Sequence, residues 1–231
     1  MNSGAAPAAF RLTARAILVL TGVLGLAILH WKMADPVGGG RAQCLLTLGT
    51  ALACGAISAL FIGRSVFQPA SMGLTLAFYS CALGAAYDAA FRSLRPESEP
   101  MLSHLGFFGF YLLAMGVTGL FVKLDAEETR PIPRDFAAFA VLALPALAWG
   151  TGATFVISAV YAYLGAWMLY FTLRLSRVAF YRRHVFGMLA AILCALTAAS
   201  GPTGMAVAQA ALPVAMAGLL MGFIDCNGDA T

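Results

Sequence analysis

The sequence predicts an all-α, polytopic transmembrane bundle of about eight spans arranged as four hairpins. Three observations carry that expectation. Of the 231 residues 61% are hydrophobic and only 10% are charged, against about 25% charged in a soluble domain. The apolar residues gather into runs near the roughly 20 residues a membrane-crossing helix requires. The runs do not alternate apolar with polar residues as barrel strands do, and lipid leaves backbone polar groups no partners outside a helix or a closed barrel.

Taken in order, the spans are expected at 16–31, 44–63, 72–91, 101–122, 136–149, 153–173, 185–199 and 205–224, within a single membrane domain over 1–231. Arg11 and Arg15 precede the first, which runs directly into His30, Trp31 and Lys32 with no small-residue cleavage site, so it reads as an uncleaved span. Asp35, Pro36 and Gly38 to Gly40 read as the first turn, and Gln68 with Pro69 restarts the chain into the third span. Ser103 is placed to cap the fourth. The longest polar connection, 123–135, mixes four acids with three bases and holds Pro131 and Pro133, which forbid a continuous helix. It reads as a solvated linker or a partner-docking loop. The fifth span is short and contains Pro145, a turn follows at 150–152, and the basic segment 174–184 separates the sixth and seventh spans.

Charge sets the expected sidedness. With a cytoplasmic N-terminus, ten of the 14 Lys and Arg residues fall inside and only Lys32, Arg41, Arg92 and Arg95 outside. Positive-inside bias therefore places both termini in the cytoplasm, and the Ala- and Gly-rich composition suits a bacterial inner membrane. The net charge of +4 fits contact with anionic membrane lipid. Basic residues interleaved with stacking aromatics are missing, which argues against a nucleic-acid partner. The five cysteines show no paired spacing and read as small packing residues.

Small residues recur at helical spacing. Ser80, Gly84 and Asp88 share one face of the third span, Gly106, Gly109, Gly116 and Gly119 mark the fourth, and Ala191, Ala195 and Ala198 mark the seventh. Such faces let membrane helices approach closely. Ser80 and Gly84, with Gln209 of the last span, are also the candidate lining of a solute path.

Chemistry-bearing side chains are few at membrane depth. His30 ends the first span, Asp88 the third, and His104 begins the fourth, all on the expected outer side. Two imidazoles and a carboxylate suit a transition metal. The two His residues could alternatively bind a haem-like macrocycle axially, or an imidazole beside a carboxylate could perform acid–base chemistry. The plainer reading pairs Asp88 with Arg92 at i, i+4 and makes His30 part of an interfacial anchor. His184 falls in the basic connection, and Arg174, Arg177, Arg182 and Arg183 are candidate lipid-headgroup contacts.

Rhomboid-type protease, lipid-phosphatase, retinal-protein and multi-haem motifs are not found in the sequence. The first functional expectation is a non-catalytic accessory or assembly subunit of a larger membrane complex. The second is a small enzyme with its site at His30, Asp88 and His104. The third is a transporter or channel for a weakly polar or apolar solute.

Overall fold

In a computed structural model, which describes residues 5–65, 67–95, 101–146 and 153–228, the chain is a bundle of α-helices. Among the described residues these are α1 (Ala5–Ala34), α2 (Pro36–Phe61), α3 (Gln68–Leu94), α4 (Ser103–Leu124), α5 (Pro133–Ala146), α6 (Ala153–Leu175), α7 (Arg182–Ala199) and α8 (Pro202–Gly228), with short 3-10 turns at Ile62–Arg64 and Ala179–Tyr181. No strand occurs among these residues. Seven helices, all but α5, are long and apolar enough to cross a membrane, which makes the protein a multi-pass integral membrane protein. The expected turn at 150–152 lies outside the described residues.

Helix starts follow local chemistry, with two departures from expectation. Asp35 caps α2, its carboxylate accepting from the Gly38 N–H at 3.0 Å, and Pro36 occupies the first turn, where its missing N–H is harmless. Gly38 to Gly40 are therefore helical rather than the turn. A Cβ on Gly39 would sit 2.5 Å from the Lys32 Cα, so the glycine is there for close approach of α1 to α2. Ser103 does not cap α4. Leu102 holds that position without a side-chain bond, and Ser103 is buried.

Seven helices close a ring in the order α1, α2, α3, α4, α6, α7, α8 and back to α1, while α8 also packs on α2 across the interior. α5 lies outside this ring against α6. The pairing fixes the direction of α5. α4 and α6 run parallel, because His104 near the start of α4 meets Tyr161 in the first half of α6, while the Arg174 Nε near the end of α6 donates to the Thr129 carbonyl just beyond α4, at 2.7 Å. The chain between them must return across the bundle. The 14 residues of α5 supply about 21 Å of that path at 1.5 Å per residue. Arg11 of α1 pairs with Asp225 of α8 at 3.1 Å, so both terminal helical ends lie at one end of the bundle, which is called the terminal end below and its opposite the distal end.

The seams use small and hydroxylic residues, since lipid offers no hydrophobic drive for helix association. Gly84 and Gly106 face each other where α3 crosses α4, and the Ser80 Oγ donates to the Gly106 carbonyl at 3.0 Å. Between α2 and α3, Ser58 and Ser71 each donate to the other's carbonyl at 3.2 Å, and Thr75 donates to the Ser58 Oγ at 3.0 Å. Gly187 of α7 rests on the Gly218 carbonyl of α8. Phe61, Phe67, Phe121 and Phe223 pack edge and face at the terminal end.

Candidate functional site

The distal end gathers one group of polar side chains. Asp88 is 2% exposed and accepts from the Arg92 Nε at 2.7 Å, one turn along α3. The Arg41 Nη2 of α2 donates to the Arg92 carbonyl at 3.4 Å. The Lys32 Nζ at the end of α1 donates to the Gln43 Oε1 at 3.1 Å, tying the second turn of α2 to α1. His104 is buried at the start of α4, its Nδ1 3.0 Å from the Tyr161 hydroxyl, with Phe107 and Phe108 against the ring. His30 points outward and is exposed. Asp88 and His104 thus belong to the buried distal cluster, and His30 stands apart from it. Among the described residues no group of three or more His, Cys, Asp or Glu side chains is arranged to hold a metal ion.

Between Asp88 and Tyr161 lie two small cavities of about 10 Å³ each. Gln43, Cys44, Thr47, Asp88 and Gln209 border the first. Tyr111, Tyr161 and Gln209 border the second. Both share Phe107, Gln209 and Leu212. Of the candidate lining residues, Gln209 therefore faces internal space, whereas Ser80 and Gly84 are consumed by the α3–α4 seam. Gln43, Tyr111 and Tyr161 are partners that sequence reading misses. Gln43 stands just ahead of the second expected span and the two tyrosines lie within apolar runs, and nothing in their spacing says which helix each will meet.

The terminal end holds a second polar system. Asp135, 1% exposed, accepts from the Arg177 Nη2 at 3.0 Å and caps the Ile132 N–H at 3.0 Å. Arg177 also donates to the Arg130 carbonyl at 2.9 Å. Arg174 donates to the Thr129 carbonyl and lies over the Tyr170 ring. The Tyr181 hydroxyl donates to Asp125 at 2.6 Å. Two of the four candidate headgroup arginines, Arg174 and Arg177, are thus engaged by the chain's own 125–135 loop. Arg183 pairs with Asp225 at 3.6 Å, and Arg182 is exposed. His184, expected in a connection, is fully buried in the first turn of α7, 3.2 Å from the Thr118 hydroxyl and edge-on to Phe121.

On the lipid-facing flank, α1 stands off from α7 and leaves an apolar groove of about 620 Å³ floored by α8. Gly22 and Gly25 of α1, Ala190 of α7, and Ala208, Ala211 and Ala215 of α8 are among its lining residues. Along Ala8–Ala34 of α1 only Ala14 and Thr21 are buried.

Searches of protein-family models, curated proteins and solved structures find no match to this chain.

Proposed function

We propose that this protein is a non-catalytic subunit of a membrane complex, and that the groove between α1, α7 and α8 receives a transmembrane helix of another subunit. The observation that carries this reading is the groove itself. It is nearly free of polar groups, and Gly22 and Gly25 on α1 with Ala208, Ala210, Ala211 and Ala215 on α8 form small-residue stretches in it among leucines and valines. Residues 18 to 29 of α1 border it, about 17 Å of helix at 1.5 Å per residue, over half of a roughly 30 Å hydrocarbon core. Backbones approach closely on such small-residue faces, and close packing is what drives helix association in lipid. The weak burial of α1 fits a helix whose remaining contacts come from a partner.

The state of the carboxylates supports the same reading over ion-coupled transport. Asp35 caps a helix, Asp88 and Asp135 pair with arginines, Asp125 holds Tyr181, and Asp225 holds Arg11 and Arg183. Coupled transporters use intramembrane acids for their ions, and here these acids are committed to structure. In the proposed setting, a bacterial inner membrane, the terminal end faces the cytoplasm. Arg11, Arg15, Lys123, Arg130, Arg134, Arg174, Arg177, Arg182 and Arg183 support that sidedness.

Native mass spectrometry of the protein gently extracted from its own membrane tests the proposal. The expected result is added mass of a second polypeptide, lost in Gly22→Leu and Ala211→Leu. Gly22 has open space around its Cβ and Ala211 is exposed, so both fill the groove without disturbing the bundle. Added mass of lipid alone, or a polypeptide retained equally by both variants, would overturn it.

A further inference from the structure

We infer that the two distal cavities are a built hydration site, holding one water each in a hydrogen-bonded chain from Asp88 through Gln209 to Tyr111 and Tyr161. The site is independent of the flank groove. A cavity of about 10–15 Å³ accommodates one water when two to four polar partners surround it, and each distal cavity measures about 10 Å³.

The polar groups are already in place. In the first cavity the Gln43 Nε2 is buried without a hydrogen-bond partner, while its Oε1 is taken by Lys32. The Asp88 carboxylate and the Gln209 amide border the same space. A water there accepts from Gln43 Nε2 and donates to Asp88. In the second cavity Tyr111, 2% exposed, borders the space. Gln209 and Tyr161 border it as well. A water there links Tyr111 to Gln209, beside the Tyr161 hydroxyl that already meets His104.

The backbone of α8 adds a further acceptor. Pro213 lies inside the helix and has no N–H, so the carbonyl four residues back, on Gln209, lacks its usual intrahelical donor. In a membrane helix such a carbonyl is satisfied by a neighbouring side chain or an ordered water. Gln209, which borders both cavities, thus carries a side-chain amide and a backbone carbonyl freed by Pro213. The bordering polar residues come from α2, α3, α4, α6 and α8, so one water-mediated chain ties five helices of the ring. Leaving the buried Gln43 Nε2 unsatisfied would cost about 1–3 kcal/mol, a driving force for keeping a water beside it.

Water-edited solid-state NMR on protein labelled with ¹³C-tyrosine and ¹³C-phenylalanine in lipid tests the site. Tyr111 is expected to receive water magnetisation several-fold faster than the buried Phe110 beside it. Gln209→Met, apolar and of similar length, is expected to slow Tyr111 to the Phe110 rate while the other tyrosine signals keep their positions. Should that variant not fold, Gln43→Met in protein labelled instead with ¹⁵N-glutamine tests the first cavity through the Gln209 side-chain amide, whose transfer should fall at least twofold. Slow transfer at Tyr111 in the wild-type protein, or fast transfer that survives Gln209→Met, would overturn the inference.

Discussion

The α3–α4 seam offers the sharpest quantitative prediction. A methyl group at position 106 would sit 2.5 Å from both the Cα and the N of Gly84 and 2.6 Å from the Ser80 carbonyl oxygen. Ordinary carbon contacts lie near 3.5–4.0 Å, and all three obstacles are backbone, so Gly106→Ala must part the two helices by about 1 Å. Overpacking of this kind costs about 1–3 kcal/mol. The 3.0 Å bond from the Ser80 Oγ to the Gly106 carbonyl would lengthen beyond reach, adding about 0.6 kcal/mol, the mean for interhelical bonds in membranes. Gly116 is the control. It lies on the same helix, is exposed, and has nothing within 4 Å of its Cβ. Alanine there carries the same helix-propensity benefit without a clash. Unfolding measured in bicelles should therefore separate the two variants by about 2–3 kcal/mol, Gly106→Ala being the weaker. A separation below about 0.5 kcal/mol, the usual scatter for a surface substitution, would refute the packing described at this seam.

The Asp88–Arg92 pair should respond unequally to loss of either partner, in denaturation monitored in detergent. Arg92→Gln strands a carboxylate that is 2% exposed, at about 3–5 kcal/mol, whereas Asp88→Asn leaves an arginine whose stem can carry its charge to water; equal losses would contradict the burial assigned to Asp88. Arg177→Ala releases Asp135 and the Arg130 carbonyl, and a charged hydrogen bond is worth about 1.5–3 kcal/mol. Cleavage by a Glu-specific protease at the exposed Glu127 and Glu128 should then accelerate about tenfold or more, and an unchanged rate would show that the loop is not held by this contact. All five cysteines are free and buried. A membrane-impermeant maleimide should leave the folded protein unlabelled and modify all five after denaturation, counted by mass; labelling of Cys44 in the folded state would show the distal cavities to be open.

Helix number and order were legible in the sequence because hydropathy at the scale of a membrane span is a property of single runs. The α1–α2 junction was less so. Three consecutive glycines read as a turn through their conformational freedom, yet Gly39 is helical and serves the near contact with Lys32. His184 follows Arg182 and Arg183, and its neighbours suggest a connection, but α7 begins at Arg182 and the first turn carries the imidazole onto Thr118. The mixed charges of 123–135 concealed a specific clamp, since the acids and carbonyls there are matched by Arg174 and Arg177 some 40 positions on. Of the expected distal residues, Asp88 and its i, i+4 arginine followed from helical spacing. The His104–Tyr161 contact and the junction at Gln209 did not, because they depend on which helices neighbour each other, and an apolar run does not record that.

The opposition of a distal polar cluster and a terminal clamp rests on α5 carrying the chain across the bilayer between them. Single cysteines in sealed vesicles test this directly. Glu127→Cys, Ala9→Cys and Arg182→Cys lie at the terminal end, and Met33→Cys and Thr203→Cys at the distal end; all five positions are exposed. An impermeant thiol reagent is expected to label the first three from one side of the membrane and the last two only from the other. Labelling of Glu127→Cys and Arg182→Cys from opposite sides would mean that α5 does not cross, and would contradict the return of the chain along α5 inferred from the parallel α4 and α6.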